Sequence, residues 1–184
     1  AEPEKAISPL ACMIKLLQTL PGLTNQLKTT LPTKLTVTHA RLGEPSFGIT
    51  PGTAILQITL RAYDKKDFDN LVKEVETLVN DEAHKSGLKA SIEFLETFPL
   101  TSNHEEMTSL LETAFKKSGF NFIIKKEPFP WSEDFGHYAA IANTCFFGLG
   151  AGEEVPNLHH PKYDFPDELI VYGLNIFKSL LNIM

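Results

Sequence analysis

The sequence predicts an α/β chain built in two incomplete parts: an α+β unit over residues 1–98 and a piece of an α/β layer over residues 99–184. Three observations carry this. The first half orders its periodic segments as helix, strand, strand, helix, strand, and the second alternates helices with short, fully apolar runs. The composition, 42% hydrophobic and 22% charged over 184 residues, is that of a folded globular chain and excludes disorder and collagen-like structure.

The first element is marked by Ser8-Pro9, a cap followed by a proline suited to a first helical turn. Leu10, Met13, Ile14, Leu17 and Leu20 then recur at helical spacing up to Pro21-Gly22, where the run is expected to stop. Leu35 and Val37 alternate within residues 34–41. Ala54, Leu56, Ile58, Leu60 and Ala62 do so within 53–63, which predicts two half-buried strands. Pro45, Gly48 and Pro51 make the connection between them a long loop rather than a tight turn. A stripe of Phe68, Leu71, Val72, Val75, Leu78 and Val79 predicts a helix ending near Gly87, and Ala90, Ile92 and Phe94 predict a strand that stops at Pro99.

This order is the split β-α-β, ferredoxin-like layout without its first strand, which in that layout lies beside the last one in the middle of the sheet. A missing central strand leaves two unpaired edges, so the polypeptide is expected to continue upstream of Ala1.

Beyond Pro99 the sequence predicts a helix through Met107, Leu110, Leu111, Ala114 and Phe115, a strand at 120–124, a helix at 132–142 and a strand at 145–149. A terminal helix opens at Pro166, with Asp167 and Glu168 suited to its positive end. Some 85 residues supply too few strands for a whole α/β layer.

Charge and cysteine content narrow the function classes. With 17 Lys and Arg against 23 Asp and Glu, the net charge of −6 gives no footprint for nucleic acid or an anionic membrane. The apolar run at 141–149 is broken by Asn143, Thr144 and Gly148 and is far too short to span a bilayer. Cys12 and Cys145 each sit among apolar residues, as small buried hydrophobes in a reducing, cytoplasmic compartment do. No Walker loop, CxxC pair or GxSxG elbow is present.

Two segments could carry chemistry. Trp131-Ser132-Glu133-Asp134-Phe135-Gly136-His137 places two carboxylates, a hydroxyl and an imidazole at a helix start, where their types and spacing favour helix capping, with Ser132 as N-cap, over a site. The loop 150–165 follows an apolar run, the place where α/β sheets hold ligands, and contains His159-His160-Pro161. Neighbouring extended residues face opposite ways and Pro161 biases His160 to extended backbone, so at most one imidazole binds a given ion. The remaining histidines have no mutual ligand spacing, which leaves the chain poor in ligands.

Trp131-Ser132-Glu133-Asp134-Phe135, Phe147-Gly148-Leu149-Gly150-Ala151-Gly152, Leu158-His159-His160-Pro161 and Tyr163-Asp164-Phe165 together resemble the C-terminal part of the two-metal amidohydrolases. These are the N-acyl-amino-acid amidohydrolases, hippurate hydrolases, auxin-conjugate hydrolases and related aminoacylases and carboxypeptidases. Thr59-Leu60-Arg61-Ala62 resembles the end of that family's lid hairpin, although Gly48 stands where the hairpin usually carries an Asn.

The resemblance implies a ferredoxin-like lid that dimerises, residues 1–98, and the C-terminal portion of a zinc-peptidase-like catalytic domain, residues 99–184. It implies that His159 is a metal ligand, that His160 fills the variable position of the Leu-His-x-Pro motif and is dispensable, and that Ser132, Glu133 and Asp134 border the site. It places no catalytic residue in this chain. The general base and the other ligands of two divalent ions, zinc or manganese, lie elsewhere in the intact enzyme, so the 184 residues alone are expected to bind no metal and to be inactive. The implied partners are an N-acyl amino acid or small peptide substrate and a second subunit. The competing reading is a non-enzymatic ferredoxin-like module for dimerisation or small-ligand binding.

Overall fold

The computed structural model describes residues 2–131 and 133–182. The chain divides between Thr97 and Phe98 into two units.

In the first unit, α1 (Leu10–Leu23) begins where Ser8 Oγ accepts the Leu10 N–H at 3.3 Å. It turns Cys12, Leu16, Leu20 and Leu23 inward at helical spacing. The helix does not stop at Pro21-Gly22 as its sequence suggests. Proline removes a single hydrogen bond in the last turn, and continuing to Leu23 keeps that side chain buried with Leu20.

Strands β1 (Thr33–Leu42) and β2 (Ala54–Ala62) form an antiparallel hairpin whose register sets Leu35 opposite Leu60 and Val37 opposite Ile58. These apolar pairs lie on the face that packs against the helices. A bulge between Val37 and His39 shifts the register, and Thr38 Oγ1 there donates to the Gln57 carbonyl at 3.2 Å. Gly43, at φ +55°, closes the loop by donating to the Thr53 carbonyl.

The next helix, α2 (Lys65–Lys85), is capped by Asp64 Oδ1, which accepts the Asp67 N–H at 3.0 Å. It buries Leu71, Val75 and Ala83 against α1 and the hairpin. Gly87, at φ +67°, ends it, and the Leu88 N–H returns to the Ala83 carbonyl.

The strand expected at Ala90–Phe94 is not formed as a ladder. Among the described residues the sheet holds β1 and β2 alone, and this segment pairs with neither. Leu88 and Ala90 still pack on the core, while Ile92 and Phe94 are 37% and 49% exposed.

In the second unit, α3 (Glu105–Ser118) and α4 (Glu168–Leu181) pack through Leu111, Phe115 and Ile176. Phe115 is the hub, with ring centroids 5.5 Å from Phe122, 5.8 Å from Phe147 and 6.2 Å from Phe120. The expected strands at 120–124 and 145–149 are likewise unpaired. Phe120 and Phe122 reach the core, but Ile123 is 89% exposed. The expected helix at 132–142 is instead a run of 3₁₀ turns over Asp134–Ala140. Pro99 packs closely on these turns: its carbonyl oxygen lies 2.6 Å from where a Gly136 Cβ would stand, which admits only glycine. No helix among the described residues is long and apolar enough to cross a membrane.

Candidate metal-ligand loop

The loop that holds the two adjacent histidines is built from successive turns. The His160 N–H donates to the Asn157 carbonyl at 2.9 Å, closing the four residues 157–160. His159 is the third of them and has a φ of +70°, while Leu158 is not among the residues with positive φ. That is the pattern of a type II turn, whose third position ordinarily takes glycine or asparagine. A histidine in that conformation costs about 1 kcal/mol of backbone strain.

The two rings differ in their commitments. The Nδ1 atom of His160 accepts the Lys162 N–H at 3.1 Å. In this arrangement the Nδ1 lone pair of His160 is engaged by a backbone N–H. The His159 imidazole is exposed and, among the described residues, makes no hydrogen bond or ion pair. Its donor chemistry fits a single position in the coordination shell of a divalent ion. It does not make a site by itself: among the described residues no group of three His, Cys, Asp or Glu side chains comes together that could hold a metal ion.

The structure locates the other residues singled out by sequence. Glu133 is half-buried and precedes the 3₁₀ turns that begin at the exposed Asp134, with neither carboxylate in a salt bridge or side-chain hydrogen bond among the described residues. Ser132 lies outside the described residues, and so does the capping role expected of it. His39, His84, His104 and His137 are all exposed. Cys12 is buried and free, and Cys145, also free, is half-buried with its Sγ 3.6 Å from Thr108 Oγ1.

Sequence patterns gave no sign of Asn103. It joins the start of α3 to the apolar segment leading toward the histidine loop, through two 2.8 Å hydrogen bonds with the backbone of Phe146. The adjacent His104 N–H donates to the Thr144 carbonyl at 2.7 Å. Gly148 lies against the tip of the Phe129 ring, which stacks on Trp131 with centroids 4.5 Å apart.

Comparison with known proteins gives these features a context. Peptidase family M20/M25/M40 matches residues 9–183. A protein of Staphylococcus epidermidis named only as a hydrolase is 26% identical over 148 residues, which cover 78% of this chain and 38% of that protein. The IAA-amino acid hydrolase ILR1-like 4 of Arabidopsis thaliana is 23% identical over 189 residues, 98% of this chain and 43% of the relative. The crystal structure of the YxeP protein of Bacillus subtilis, described as a dinuclear metal-binding peptidase of the M20 family, superposes with a TM-score of 0.73 at 19% identity. The superposition covers 95% of this chain and 45% of that one. The chain thus spans less than half the length of each of these three proteins.

Proposed function

The chain belongs to peptidase family M20/M25/M40, and from that premise we propose that it is the lid and C-terminal catalytic portion of a metal-dependent amidohydrolase. The intact enzyme would cleave the amide bond of N-acyl amino acids or small peptides. Two divalent ions, zinc or manganese, supply such enzymes with an activated water and a polarised carbonyl.

In this reading His159 is one ligand of that pair, and the remaining ligands and the general base come from polypeptide outside these 184 residues. The chain alone is then inactive and holds no ion tightly. Glu133 and Asp134 border the site, with Ser132 beside them, and the ferredoxin-like unit pairs with a second subunit in a cytoplasmic homodimer. The non-enzymatic module is the weaker reading, because the family match runs through both units rather than stopping at the first.

The observation that carries the proposal is the contrast between neighbouring rings. His159 keeps its imidazole free and exposed at a strained backbone position, whereas the His160 ring is spent on a backbone N–H. Strain of this kind persists where a side chain is needed. The test is metal analysis of the intact enzyme together with hydrolysis of a panel of N-acetyl and N-benzoyl amino acids. His159→Ala is expected to lose about one of the two metal equivalents and nearly all turnover. A His159→Ala enzyme that retains both ions and full activity rejects the assignment.

A further inference from the structure

We propose that His160 is the positioning residue of the loop that carries His159; the inference rests on the reading of His159 as a ligand and revises the expectation that position 160 is dispensable. Residue 160 makes three hydrogen bonds within the loop. Its N–H donates to the Asn157 carbonyl at 2.9 Å, its carbonyl accepts from the Tyr163 N–H at 2.8 Å, and its ring Nδ1 accepts from the Lys162 N–H at 3.1 Å. Two consecutive turns, 157–160 and 160–163, are therefore hinged on one residue, and His159 projects from the first just before that hinge.

The chemistry of the second turn explains why an imidazole suits position 160. Pro161 stands at the turn's second position, where its fixed φ is favoured, and it has no N–H, so Lys162 supplies the first available donor. A side-chain acceptor bonded to the N–H two residues ahead is the arrangement that Asn and Asp use in Asx turns. Histidine Nδ1 is separated from Cα by the same number of bonds as asparagine Oδ1, so His160 acts here as an Asx residue does. Its ring is consumed in shaping the loop, and the ring beside it is left to face a ligand.

Replacement separates this role from ligation. In the intact enzyme, His160→Ala removes the ring acceptor and keeps both backbone bonds. It is expected to hold two ions but to bind one of them about 10-fold more weakly in competition with a chelator, the usual size of a lost supporting contact. His160→Asn restores the acceptor and is expected to recover most of that loss. In the 184-residue chain, long-range ¹H–¹⁵N spectra should show the His160 proton on Nε2, and exchange of the Lys162 amide should quicken in the Ala variant but not in the Asn variant.

Wild-type affinity in the Ala variant overturns the inference, as does equal loss in the Ala and Asn variants or a proton found on Nδ1. If His159→Ala keeps both ions, the ligand reading itself fails and takes this inference with it. If His159→Ala loses an ion and Asn at 160 gives no rescue, only the positioning role is rejected.

Discussion

Asn103 and Phe146 exchange two hydrogen bonds across 43 residues of sequence. Asn103 Nδ2 donates to the Phe146 carbonyl, and the Phe146 N–H donates to Asn103 Oδ1, both at 2.8 Å. A side-chain amide thus takes the part that a neighbouring strand would play, satisfying both backbone groups of one residue. Asn103→Ala should destabilise the second unit by about 2 kcal/mol, the sum of two ordinary hydrogen bonds. Asn103→Asp should cost more, because it sets a carboxylate oxygen against the Phe146 carbonyl. The chain's single tryptophan, Trp131, lies in this unit, so urea unfolding followed by its fluorescence reads both variants.

Asp67 plays a comparable part in the first unit. It is only 3% exposed, and its Oδ2 accepts the N–H groups of Thr30 at 2.8 Å and Leu31 at 3.0 Å, pinning the chain just before β1 to α2. Asp67→Ala leaves two N–H groups without an acceptor and should cost about 3 kcal/mol. Asp67→Asn keeps one oxygen facing them and should cost about 1 kcal/mol. Denaturation followed by circular dichroism distinguishes the two, and equal losses would argue that packing at position 67 matters more than its acceptor.

Gly136 and Gly148 are both closely approached, but by different neighbours. An added Cβ at 136 would meet the Pro99 backbone oxygen at 2.6 Å, whereas one at 148 would meet the tip of the Phe129 ring at 2.8 Å. A backbone carbonyl cannot swing away, and a ring can. Gly136→Ala should therefore destabilise by about 3 kcal/mol and Gly148→Ala by about 1 kcal/mol, with Trp131 emission altered in the latter as its stacked partner moves.

His159→Gly gives the opposite sign. Glycine relieves the φ of +70°, so thermal unfolding should occur at the same temperature or slightly higher, with a gain of up to about 1 kcal/mol. The same replacement should remove an ion from the intact enzyme. A variant that is more stable and yet has lost metal would show that position 159 is held by its chemistry rather than by its fold.

The helices were legible in the sequence because each carries its own evidence. Leu71 and Val75 in α2, and Leu111 and Phe115 in α3, each lie four residues apart on the face that is buried. In α1 the helix was legible but its face was not: Leu10 and Ile14 of the expected stripe are exposed, and Cys12, Leu16 and Leu23 are buried with Leu20. The hairpin was legible because both its strands are present. The segments at 90–94, 120–124 and 145–149 show why strand prediction stops short: alternation or apolarity describes one chain segment, while a strand is a relation between two. The close packing of Pro99 on Gly136 escaped for a similar reason, since the two lie 37 residues apart in sequence. At the candidate site, the motif around His159 was visible in sequence. The bond from Lys162 to the His160 ring and the clasp of Asn103 on Phe146 were not, because side-chain bonds to backbone leave no periodic trace.

The two-stranded sheet has a practical consequence for handling the polypeptide. Among the described residues the β1–β2 ribbon pairs with no third strand, so the outer edge of each strand is a column of backbone groups with no strand against it, and Ile92 and Phe94 are partly exposed in the same unit. Such columns are templates for one molecule to stack on the next. Solutions of these 184 residues are therefore expected to scatter more light as they are concentrated.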